Sequence, residues 1–213
     1  MSSIPLETLL PPHHHSGGGT AFFSMVLMWL TMTIAMMTPT VLPWMLAFAS
    51  FTEDVSLRRV GSFAAGYFII WFGYSIVMSG AQMVLHASGW LPDGRLGSGI
   101  GGVVLIAAGV FQFLPFRNAC LSHCRNPMTY FVSQWRNGPA SGFRIGVSHG
   151  AFCLGCCWLL MATGFAMGVM NLAWMAALTV MIAFEQILPR GDRLARVFGI
   201  LFLALGCVLL IGR

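Results

Sequence analysis

Six long apolar runs constrain this chain more than any other feature of its sequence. They extend approximately over Ala21 to Phe51, Gly61 to His86, Gly97 to Phe116, Gly142 to Phe165, Met167 to Leu188 and Leu194 to Ile211. A helix needs about 20 apolar residues to cross a hydrocarbon core. In lipid each backbone polar group must be satisfied within its own segment, so runs of this kind specify helices. Composition agrees: 57% of residues are hydrophobic and only 8% charged, whereas a soluble domain carries roughly a quarter charged residues. The expected fold is all-α, a polytopic transmembrane helix bundle of about six spans, with residues 20–213 as one transmembrane domain. Pro39 and Pro43 predict a kink or break in the first span. The stretch Asn118 to Trp135 is too polar to span. It mixes Arg125 with Met128, Tyr130, Phe131 and Trp135 and reads as an interfacial helix between spans three and four.

The arginines orient the bundle. All basic residues are arginine. With six spans, Arg58, Arg59, Arg117, Arg125, Arg136, Arg144, Arg190, Arg193 and Arg196 fall on one side, and only Arg95 and Arg213 on the other. This bias marks the first side as cytoplasmic and places both termini away from it, as expected in a bacterial inner membrane. The net charge of +5 comes with no basic stripe or aromatic platform, so nucleic acid is not an expected partner. The start of the chain lacks a basic segment followed by a short apolar core and cleavage site, so the first apolar run is expected to direct insertion itself. Residues 1–19 read as a polar tail, and its His13, His14 and His15 are candidates for capturing metal outside the membrane.

Small residues recur at helical spacing. Gly142, Gly146 and Gly150 fall every fourth residue, and Gly66, Gly73 and Gly80 every seventh. Such spacing lets helix backbones approach closely.

The fourth run carries the densest chemistry. His149, Cys153, Cys156 or Cys157, and Met161 share one helix face. A single buried cysteine is a small hydrophobe. Imidazole, thiolate and thioether together are the ligand set of a soft transition metal, Cu(I) first and zinc second. A second element, Cys120 to Cys124, spaces two cysteines by one helical turn, with His123 between them, and is expected at the cytoplasmic surface. A third is the methionine stripe Met25, Met28, Met32 and Met36, with Met37 alongside. Counted from opposite faces, Met32 and Met36 lie at about the depth of Cys153 and Cys156 at ~1.5 Å of rise per residue, so the two sets meet if their helices are neighbours. Glu185 is the one carboxylate well inside a run. Buried carboxylates need a proton, a partner or a metal, and Arg144 is a candidate partner at the same membrane edge. Cys207 stands alone and reads as core.

The segments WLTMTIAMMTP (Trp29 to Pro39), CLSHCRNPM (Cys120 to Met128) and GVSHGAFCLGCCWLLM (Gly146 to Met161), with GVMN (Gly168 to Asn171) and Glu185, resemble the DUF2182 family of predicted metal-binding integral membrane proteins. The resemblance implies that Cys120, Cys124, His149, Cys153, Cys156, Cys157 and Glu185 stand at the family's motif positions.

The expected function is binding of a soft transition metal, copper before zinc, in metal handling or transfer. The candidate ligands are Cys120, Cys124, His149, Cys153, Cys156, Cys157, Met161, Met32, Met36 and Glu185. Expected partners are the lipid bilayer, other membrane subunits, or a protein that donates or accepts metal. Two alternatives stay open. One is a membrane thiol-disulfide oxidoreductase using the Cys153-x2-Cys156 spacing. The other is an accessory subunit of a larger membrane complex. Haem is not expected, because no Cys-x-x-Cys-His attachment motif accompanies His149. No Ser-His-Asp arrangement, phosphate loop or paired-carboxylate site is present in the sequence.

Overall fold

The apolar runs fold as helices. A computed structural model of the chain describes residues 18–51, 57–91, 94–126, 140–169, 171–188 and 191–212. The histidines at 13–15 and most of the polar tail lie outside these residues, as do 127–139, which include the later part of the expected interfacial helix. The helices are α1 (Gly18–Phe51), α2 (Leu57–Ala87), α3 (Ser98–Phe111), α4 (Pro115–Arg125), α5 (Ser141–Ala162), α6 (Leu172–Ile187) and α7 (Gly191–Ile211). A single helical turn, Gly164–Met167, prolongs α5.

Four of these elements are long and apolar enough to cross a membrane: α1, α2, α5 with its added turn, and α7. A fifth span arises if α3 and α4 count as one pass, bent by 64° between them. The expected third span thus does not run straight; Leu114 is extended and Pro115 starts a new helix. The remaining run becomes α6, an apolar helix of 16 residues. At the standard rise this is about 24 Å, short of a ~30 Å core.

The contacts nevertheless sort the helix ends. Leu96 N donates to Phe165 O and Val169 N to Gly94 O, which brings the α2–α3 and α5–α6 connections to one end of the bundle. At the other end, Arg125 reaches Asp192 Oδ1 and Leu188 O. α1 runs antiparallel to α2, pairing Trp29 with Gln82 and Thr33 with Ser75.

Of the kink or break expected in α1, the break does not occur. The helix continues through Pro39 and Pro43 for 34 residues. Threonine hydroxyls donate to carbonyls of the adjacent turns, Thr38 to Ile34 and Thr40 to Met37, which helps a membrane helix tolerate proline. Its buried face is Val26, Trp29, Thr33, Met37, Thr40, Trp44 and Phe48, at steps of three and four.

The glycine steps on α5 work as read. A Cβ on Gly142 would lie 2.9 Å from Arg59 O, one on Gly150 3.0 Å from Tyr67 O, and one on Gly146 would collide with Phe63 O. The contacts advance in the same direction on both helices, so α2 and α5 are parallel neighbours. On α2 only Gly66 joins this seam, against Phe143 O; Gly73 and Gly80 face open space. A second seam joins α3 and α7 antiparallel, with Gly102 against Gly206 and Gly109 against Gly199.

Candidate metal centre

The bundle brings two of the cysteine motifs together. α4 begins at Pro115 and packs Arg117, Cys120, Leu121 and Cys124 inward rather than lying wholly at a surface. It runs alongside α5, whose His149, Cys153, Cys156, Cys157 and Met161 are all buried. The sulfurs of Cys124, Cys153 and Cys156 lie within 4.8 Å of one another. A metal about 2.3 Å from each of three sulfurs would set them about 4 Å apart, so the triad fits a three-thiolate ion with small adjustments. All six cysteines are free thiols.

Several groups surround the triad. Tyr67 Oη is 3.3 Å from Cys153 Sγ and 3.5 Å from Thr40 Oγ1. Gln186 Nε2 donates to Cys153 Sγ at 3.6 Å and to Cys156 Sγ at 3.8 Å. Trp44 Nε1 donates to Cys124 O at 2.6 Å, holding the end of α4 on the bundle. The thiols of Cys156 and Cys157 both turn back to Cys153 O, at 3.1 and 2.9 Å.

His149 is fully buried. Its ring stacks on Trp44 with centroids 3.9 Å apart and lies 5.3 Å from the Tyr67 ring. Neither ring nitrogen has a hydrogen-bond partner among the described residues. Buried polar nitrogens are nearly always satisfied. His149 thus has both ring nitrogens uncommitted one helical turn from Cys153, although it stands outside the close group formed by the three sulfurs.

Other candidates are placed elsewhere. Cys120 parts from Cys124: its sulfur sits where a side chain on Gly155 would fall, 3.0 Å from that Cβ position. The two do not form the expected surface pair, since both are buried. His123 stacks on Phe152 at 3.8 Å. Met161 is buried in the core. Cys207 is exposed, so the expectation of a core position fails.

Glu185 forms a buried ion pair with Arg117, not with Arg144, and Gln112 Nε2 donates to its other oxygen at 3.3 Å. Arg117 Nε also donates to Cys156 O at 3.2 Å. The arginine thus ties α4 to α5 and α6 behind the triad. The methionine stripe does not face α5 either. Met28, Met32 and Met36 line a cavity between α1 and α6.

Sequence reasoning missed Tyr67, Gln186, Trp44 and Arg117. Two signals were available. Charges at 117 and 185, each beside or within an apolar run, have to find each other in lipid. Gln186 follows Glu185 directly, on the same short helix.

A buried thiol triad with an uncommitted imidazole, inside a bundle of membrane-length helices, defines a membrane protein with a candidate soft-metal centre. The family is then specific: the profile of the PpoB2 family, described as a copper chaperone, matches residues 26–209. The chain belongs to that family, of which DUF2182 is the former name. No curated protein and no solved structure shows a significant match to the chain.

Proposed function

We propose that the protein carries Cu(I) as cargo on Cys124, Cys153 and Cys156, with His149 as a further ligand, and passes it between proteins at the membrane. The observation that carries this reading is the convergence of three sulfurs from two helices within the bundle. Three thiolates and one Cu(I) leave two negative charges in a poor dielectric. Gln186 and Tyr67 lie against the sulfurs and would offset part of that charge by hydrogen bonding. Thiolates also favour Cu(I) over harder ions, and copper is the metal of the family.

Cys157, Cys120 and Met161 lie next to these ligands in sequence or on the same helices and are candidates for receiving the ion during exchange. Glu185 serves through Arg117 rather than as a ligand. The arginine sorting supports a bacterial inner membrane with both termini outside the cytoplasm. In that orientation His13, His14 and His15 would capture copper outside the membrane, and the proposed partners are a copper donor and a copper-accepting protein.

The test is Cu(I) titration of the purified protein against a chelator, with X-ray absorption at the copper edge. One tight copper with sulfur neighbours at about 2.3 Å is expected. The Cys124, Cys153 and Cys156 triple serine variant should lose it, and Cys157→Ser should keep it. Tight copper surviving the triple substitution would remove the triad from the reading.

A further inference from the structure

The methionines of α1 meet a methionine of another helix. Met28, Met32 and Met36 line one cavity of about 650 Å³ together with Met175 of α6. Thr31 and Thr179 supply its hydroxyls, and no charged residue lines it. Sequence spacing had put the first three on one face. The fourth joins them only through the packing of α6 on α1. Both threonine hydroxyls donate to carbonyls of their own helices, Leu27 O and Met175 O, each at 2.8 Å. The donor set available to a ligand is therefore four thioethers and two hydroxyl oxygens.

Thioethers are soft, neutral ligands. They suit Cu(I), are poor for zinc, and cannot match thiolates in charge compensation. An ion held by them sits uphill of one held by Cys124, Cys153 and Cys156. Side chains of one core lie between the two. Met36 and its neighbour Met37 are both buried in one core with the cysteines. Thr40 Oγ1 lies 3.9 Å from Met37 Sδ and 3.5 Å from Tyr67 Oη, and Tyr67 Oη lies 3.3 Å from Cys153 Sγ.

We propose that the cavity lined by Met28, Met32, Met36 and Met175 is a second Cu(I) site, a transient all-thioether station that loads the thiol triad. The inference rests on the triad's being the tight copper site. Copper remains Cu(I) throughout and no electron moves. Copper–thioether bonds are exchanged for copper–thiolate bonds, and the protons displaced from the thiols leave to the buffer.

The experiment uses the full chain in lipid nanodiscs, with Cu(I) supplied as its acetonitrile complex. The variant Met28→Leu, Met32→Leu, Met36→Leu, Met175→Leu conserves volume and removes every thioether from the cavity. Wild type should bind one tight and one weak copper. The leucine variant should keep the tight copper, lose the weak one, and load the triad about tenfold more slowly, as followed by thiolate-to-copper absorption in stopped flow. The single variants Met32→Leu and Met175→Leu, one on each helix, should each slow loading. The triple serine variant of the triad should retain the weak copper alone. If that variant instead keeps tight copper, the triad reading fails and the methionine site is judged by its weak copper. Loading at the wild-type rate in the leucine variant, or loss of its tight copper, would overturn the proposal.

Discussion

Gln186 touches two of the three sulfurs of the triad. One amide nitrogen serves two sulfurs. Replacing it with leucine removes that donor while conserving bulk. Gln186→Leu is expected to weaken Cu(I) binding by roughly 10- to 100-fold, the usual cost of losing support around a metal ligand. Chelator competition measures this, and an unchanged affinity would show that the amide does not act on the sulfurs. Arg117 and Glu185 make a different prediction, about stability. Arg117→Met alone strands a buried carboxylate and is expected to cost about 3–5 kcal/mol. The double variant Arg117→Met, Glu185→Leu leaves no stranded charge and should recover most of that loss. Thermal unfolding in detergent compares the two, and equal damage in both would argue against the pair. Both residues were visible in the sequence, but their pairing was not. Arg117 looks like one more edge arginine, and Arg144 is as plausible a partner for Glu185 on depth alone. Only the bend after Phe111 carries Arg117 inward.

Helix faces were legible where a period of 3.6 defines them; helix neighbours were not. Met28, Met32 and Met36 of the methionine stripe are a real face of α1, yet they lie over α6 rather than the cysteines of α5. The Cys120-x3-Cys124 spacing makes one turn of α4, as read. The two sulfurs then address successive points along α5, because four residues advance about 6 Å. Cys120 reaches Gly155, and Cys124 reaches the triad. The glycine signal was similarly partial. Gly142, Gly146 and Gly150 form a seam, but the seven-residue step of Gly66, Gly73 and Gly80 has only its first member in contact. The same step in Gly102 with Gly109, and in Gly199 with Gly206, marks the α3–α7 seam. These differences yield a paired test. Gly146→Leu should prevent α2 and α5 from closing and sharply reduce folded yield, whereas Gly73→Leu should be tolerated. Size-exclusion profiles of the two variants decide it, and similar profiles would contradict the seam.

At the scale of the whole molecule, an ion held by the proposed triad would join two helices. Cys124 belongs to α4, while Cys153 and Cys156 belong to α5. A ligand that binds only the folded state adds about 2.7 kcal/mol at a hundredfold excess over its dissociation constant. Cu(I) should therefore raise the melting temperature of the wild type in a concentration-dependent way and leave the triple serine variant unmoved. A shift of equal size in that variant would place the stabilising ion elsewhere. The all-α membrane architecture was legible from hydropathy because lipid admits few alternatives. The number of full-length passes was less so, since apolar content does not reveal that one run bends at Pro115 and another stops at 16 residues.

The parallel seam of α2 and α5 has a consequence for biogenesis. Two helices that run the same way cannot be joined by a short hairpin, and here α3, α4 and their connections intervene. A chain emerging from the ribosome must thread all of these before α2 meets its partner. Trp44 and Tyr67 are made early, the sulfurs on α5 later, and Gln186 later still. Until that last short helix docks, the thiols are an unfinished enclosure. On the proposed reading, copper arriving during synthesis would meet scattered cysteines until α6 is in place.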